Sequence, residues 1–121
     1  MDATQAFTYF VRHCLSHERA LRLTALVGSE RGERKILDGL YHEFMPANRP
    51  DRVRSQDYEH VLDESCFVYS ASMGFGAVFS TVREALLRLS AEDGWLILLT
   101  DGSAGIHRPE DRWDDEVLIL C

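Results

Sequence analysis

The chain has few of the residues that announce chemistry. Its three cysteines, Cys14, Cys66 and Cys121, are far apart and odd in number. No Cys-x-x-Cys occurs, so the spacing writes neither a disulfide framework nor a zinc knuckle. Cys14 and Cys66 read instead as small core residues. No apolar run is long enough to span a bilayer, which argues against a membrane partner. The opening MDATQAF lacks the basic region and apolar core of a signal peptide, so a cytoplasmic protein is expected. There is no Gly-x-Ser-x-Gly elbow, no His-Glu-x-x-His and no Walker lysine, and no cofactor or metal is implied.

Positive charge is also scarce where it would matter. Net charge is −7 over 121 residues. Residues 1–60 hold nine Arg/Lys against nine Asp/Glu, and residues 61–121 hold four against eleven, so all the excess acid lies in the second half. Nucleic-acid binding needs clustered cations for phosphate contacts and is not expected. Acidity of this kind keeps a protein soluble, and it also steers a basic protein partner.

What is present is enough for one domain, residues 1–121, with a hydrophobic core of its own. Its centre runs from Cys66 to Asp101. Cys66–Ser70 is short, aromatic and β-branched, as a strand should be. Phe75, Phe79, Val82, Leu86 and Leu89 recur at spacings of three and four, which predicts an amphipathic helix after a glycine-bearing turn. Asp93-Gly94 is a stop, and Trp95–Leu99 is an unbroken apolar run that reads as a strand buried on both faces. Two strands joined by a helix predict a parallel βαβ unit. Asp101-Gly102 then signals a hairpin, with Ser103–His107 returning antiparallel, and Val117–Leu120 reads as a last strand.

Before this unit, residues 4–27 have helical composition but no single apolar face. Phe7, Phe10, Val11 and Cys14 share one side, whereas Ala20, Leu23 and Val27 lie roughly opposite. A break near Ser16, a second subunit on the other face, or a strand over Leu21–Val27 would each account for this. A second helix follows, with Ser29 as N-cap and Ile36, Leu37, Leu40, Tyr41 and Phe44 on one face. Met45–Asp57 reads as a loop containing Arg49, Arg52 and Arg54, and Tyr58–Leu62 as a short helical turn. The fold class is therefore α+β: two N-terminal helices packed on a small mixed sheet, built from a βαβ unit plus a C-terminal hairpin and strand.

Four groups of residues invite a functional reading. Ser72, Gly74 and Gly76 form a strand-to-helix turn that would offer backbone N–H groups to an anion, although the third glycine of the dinucleotide fingerprint is replaced by Phe79. His13 and His17, four apart, would share a metal if His42 came near. Asp101, Ser103 or Ser72, and His107 have the residue types of a hydrolase triad. Trp113, Asp114, Asp115 and Glu116 place an aromatic anchor in an acidic stretch, without the spacing of an EF-hand.

Two functions from different classes follow. One is a non-enzymatic protein-binding or regulatory module whose acidic C-terminal surface meets a basic partner. The other is a small-anion-binding protein or enzyme that uses the Gly74–Gly76 turn at a helix N-terminus. A homodimer is compatible with both, and the two-faced first helix favours one.

Overall fold

Asp2 starts the first helix. Its carboxylate accepts from the Gln5 amide at 2.8 Å, and the Gln5 side chain accepts from the Asp2 amide at 2.9 Å, a reciprocal capping box. This helix, α1, is Ala3–Cys14, and α2 is His17–Leu26. The change of apolar face near Ser16 is thus a helix break: Leu15 is extended, and Ser16 caps α2. That break removes the two-faced helix as a ground for a dimer, and 17–26 is helix rather than strand. Helix α3, Glu30–Glu43, begins at Ser29, whose hydroxyl accepts from the Gly32 amide at 3.0 Å. The structure, a computed structural model, describes residues 1–43, 53–55, 57–89, 94–108 and 117–120.

Among the described residues six strands form one sheet: β1 Val53–Ser55, β2 Cys66–Ser70, β3 Gly74–Phe79, β4 Trp95–Leu99, β5 Ala104–Arg108 and β6 Val117–Leu120, in the order β1-β6-β5-β4-β2-β3. Strand β1 lies where a loop is expected from the sequence. A 3-10 turn at Glu59–Val61 and helix α4, Val82–Arg88, complete the described elements. The α+β class, with the N-terminal helices packed on the sheet, stands. The details of the central unit do not.

Every neighbouring pair is antiparallel, so the sheet is not mixed, and β2 and β4 are not a parallel pair. Residues 74–79 form a strand instead of the first half of a helix. The apolar spacing from Phe75 to Leu89 joins two elements: Phe75 and Phe79 belong to β3, and Val82 and Ala85 to α4. Thr81 divides them, its hydroxyl accepting from the Glu84 amide at 3.1 Å as the N-cap of α4. Strand β3 runs parallel to β4 with β2 between them, so α4 is the crossover of a split βαβ arrangement.

Both faces of the sheet are covered. Phe67, Tyr69, Leu96 and Leu98 face a core shared with Phe7, Phe10, Val11 and Cys14 of α1, Leu23 of α2, and Ile36 and Leu40 of α3. Cys66, Val68, Trp95, Ile97, Ala104 and Ile106 face Val82 and Ala85 of α4 and Val61. The unbroken apolarity of Trp95–Leu99 therefore does reflect burial on two sides, achieved in an antiparallel sheet. Among the described residues no helix is long and apolar enough to cross a membrane.

Gly76 sets how closely α1 approaches. The β2–β3 register shifts between Val68 and Tyr69, whose partners are Ala77 and Phe75, so Gly76 is the extra residue of a bulge, at φ +103°. A Cβ there would sit 2.6 Å from the Ala3 methyl. Gly76→Ala should therefore cost about 2 kcal/mol or more, through left-handed strain and overpacking together. A urea-unfolding midpoint equal to that of the unsubstituted protein would show that α1 does not pack as described.

Candidate functional site

The β2–β3 turn, which carries Ser72 and ends at Gly74, does not lead into a helix. The anion site expected from Ser72, Gly74 and Gly76 thus has no helix N-terminus behind it. Ser72 is exposed in the turn, and Ser70 closes that turn by accepting from the Met73 amide at 2.9 Å. Gly76 contributes conformation and close packing, so a side chain there would disturb the fold before it met any ligand.

The triad residues are not assembled. Asp101 and Ser103 bond to each other in the β4–β5 turn: the Ser103 hydroxyl and amide donate to Asp101 Oδ1 at 2.6 and 3.0 Å. The hydroxyl bond first, and the amide bond second, hold the Asp101 carboxyl below its ordinary value. His107 lies four residues further along β5, about 13 Å from Ser103 at strand spacing. It pairs in register with Leu96 and is buried. Ser72 lies at the other end of the sheet from Asp101, because β2 ends where β4 begins.

The helix break at Leu15–Ser16 separates His13 on α1 from His17 on α2, so the two do not share one helix face. His13 Nδ1 donates to the Tyr9 carbonyl at 2.8 Å, and its ring lies 4.1 Å from that of Tyr9. The His42 side chain lies outside the described residues. No group of three metal-ligating side chains comes together among the described residues. Trp113, Asp114, Asp115 and Glu116 also lie outside them, as does most of the arginine-bearing stretch 45–57.

What the structure does bring together is a cleft of about 250 Å³ between α3 and the β2–β3 turn. One wall carries Glu30, Glu33, Arg34, Leu37 and Asp38. The other is Ser70, Ala71, Gly74 and Phe75. Three carboxylates against one guanidinium make the lining net acidic. Arg34 is drawn toward Glu30 at 3.9 Å, and Glu33 accepts from the Gly28 amide at 3.0 Å, which fixes it at the start of α3. Leu37 and Phe75 supply a half-buried apolar floor. The sequence places Glu30 and Glu33 in the first turn of α3, where they read as partners of the helix dipole. Their meeting with a hairpin some forty residues away is not visible in any local pattern.

Two buried groups have strongly altered acidity. Burial, and secondarily the Glu84 carboxylate, push the Cys66 thiol from 9.0 up to about 11. Burial, and secondarily Asp2, push the Tyr69 phenol above its ordinary value. The Tyr69 hydroxyl donates to the Ala3 carbonyl at 2.6 Å, a bond available only to the protonated form. Cys66 is the small core residue the sequence suggests, whereas Cys14 is buried and disulfide-bonded.

Comparison with known protein families, characterised proteins and solved structures returns no match.

The Cys66 thiol gives a direct check on the core. Iodoacetamide at pH 8 should leave Cys66 unmodified in the native protein and modify it in denaturant. The unfolded thiol ionises near 9 and the folded one near 11. Its contribution to stability is therefore complete below pH 9 and is lost as pH rises through 11, with Tyr69 adding to the loss. Native alkylation at the rate of an unfolded cysteine would contradict the burial of β2.

Proposed function

We propose that the protein is a non-enzymatic binding module for a basic segment of a protein partner, received in the cleft between α3 and the β2–β3 turn. The observation that carries this reading is the pairing of an acidic wall with an apolar floor. Carboxylates at Glu30, Glu33 and Asp38 stand beside Leu37 and Phe75. A lysine or arginine side chain has the matching chemistry, an aliphatic stem ending in a cation. At about 250 Å³ the cleft is smaller than the roughly 300–1,000 Å³ typical of small-molecule pockets, and it suits one long side chain of a larger partner.

Composition supports the same reading. The second half of the chain holds eleven acids against four cations, five of those acids between Glu110 and Glu116. Such a field speeds encounter with a basic partner and weakens with salt. Trp113, Asp114, Asp115 and Glu116 belong to this reading as a second acidic contact, with the tryptophan as anchor. An anionic ligand at Gly74 is not proposed, because the cleft beside it is lined by acid.

The test uses fluorescence anisotropy with labelled hexapeptides in which arginine alternates with valine, against counterparts in which glutamate replaces arginine. The basic peptides should bind and the acidic ones should not. Glu30→Lys combined with Asp38→Lys should weaken binding about tenfold, since both side chains are exposed and neither holds the fold. Equal binding of both peptide classes, or an unchanged affinity in the double variant, would remove the cleft as the binding site.

A further inference from the structure

Strand β3 ends the sheet, and no described strand lies beyond it. Its outer row of N–H and C=O groups is a template for another strand. Natural edges are commonly blunted by charge, proline or a bulge; GFGAVF has the bulge at Gly76 but neither charge nor proline. The stretch from Ser65 to Val82 carries no charged residue at all, in a chain that is 27% charged.

Two apolar side chains stand out nearby. Val78 is 71% exposed and Leu87 is 83% exposed. They lie on opposite sides of the sheet. Val78 is the partner of Phe67, which faces α1–α3, whereas Leu87 belongs to α4 on the other side. The bulge has a further consequence. It places Phe75 and Val78, three residues apart, on the same face, because their partners Tyr69 and Phe67 both face α1–α3. Gly74 and Phe79 share the other face, with partners Ser70 and Cys66.

This pattern is self-complementary. When β3 meets a second β3 antiparallel, with the two-fold axis between Gly76 and Ala77, all six residues overlap. Phe75 then stands opposite Val78 of the other copy, an aromatic against a β-branched side chain on the α1–α3 face. Gly74 stands opposite the Phe79 of the other copy on the α4 face, the arrangement in which an aromatic covers a cross-strand glycine. Both pairs keep their faces, as a continuous sheet requires. A chain of charge −7 repels its own copies over most of its surface. The uncharged edge is where that repulsion is weakest.

We infer that two copies of this chain pair through β3, joining their sheets into one across a two-fold axis between Gly76 and Ala77. The occupant of the edge is a second copy because β3 matches itself in length, face pattern and lack of charge. A single-strand contact is small, so the dimer is reversible.

Sedimentation velocity between roughly 1 and 300 µM tests this, a range that spans the dissociation of a small interface. The unsubstituted protein should pass from monomer to dimer. Val78→Lys, at an exposed position, should stay monomeric throughout with an unchanged circular dichroism spectrum, and Val78→Thr should weaken the dimer. Leu87→Lys, on the opposite face, should leave it intact. Hydrogen exchange at residues 74–79 should slow as concentration rises. A monomer at the highest concentration would overturn the inference. A dimer that survives Val78→Lys, or that Leu87→Lys dissolves, would also overturn it, because the contact would then lie elsewhere.

Discussion

The packing of α1 on the sheet is the constraint from which the rest of the structure follows. Phe7 meets Tyr69 at 5.6 Å and Phe75 at 5.2 Å between ring centres, and Tyr69 meets Phe75 at 4.6 Å. Three rings in tilted and edge-on contact tie a helix, a central strand and an edge strand together. The Tyr69 hydroxyl adds a bond to the first turn of α1. None of this is accessible unless the backbones come close, and Gly76 permits that at Ala3. Gly105 does the same further along α1, where a Cβ would lie 3.1 Å from the Phe10 ring. Once α1 is fixed, the break at Leu15–Ser16 sends α2 and α3 back over the same face, and α3 forms the wall of the cleft.

Those contacts also explain why burial and acidity are linked in this protein. Cys66 and Tyr69 stand on one strand and face opposite cores. Each loses water on ionisation-sensitive atoms, so each resists deprotonation. The consequence is a fold whose central strand is loosened by alkali from both sides. Asp101 behaves in the opposite way at the open end of the sheet, where the hydroxyl and amide of Ser103 favour its charge.

Much of the fold is legible in local signals. The Asp101-Gly102 turn, the return strand, the last strand, the Ser29 cap and the short turn after Tyr58 are each written in a few adjacent residues. The discontinuous face near Ser16 admits a break, a covered second face or a strand, and the structure has the break. The failure lies between Phe75 and Leu89, where strand β3 and helix α4 happen to continue one spacing of three and four. Gly74 and Gly76 at positive φ, together with Thr81, mark the true boundary, but glycine before a helix and glycine in a bulged hairpin look alike in sequence. Reading 75–89 as one helix implies parallel pairing of its flanking strands. The unbroken apolarity of Trp95–Leu99 implies it too, because a strand covered on both faces is more often parallel than antiparallel.

The candidate site was less legible for a different reason. Its acidic wall is periodic along α3, with Glu30, Glu33, Arg34, Leu37 and Asp38 on adjoining turns, yet each residue there has an ordinary explanation in helix stability. Its other wall is a turn whose glycines suggest phosphate. Only the docking of α3 beside that turn sets three carboxylates against it, which makes the lining acidic. The same hairpin then has two unlike surfaces: a face that meets acid across the cleft, and an edge free of charge. Charge is thus partitioned by geometry. Glu30, Glu33 and Asp38 line the cleft, and the uncharged stretch from Ser65 to Val82 leaves an edge where a like-charged copy meets least repulsion. A two-fold dimer built on that edge carries two clefts, and a partner with two basic segments would gain from engaging both at once.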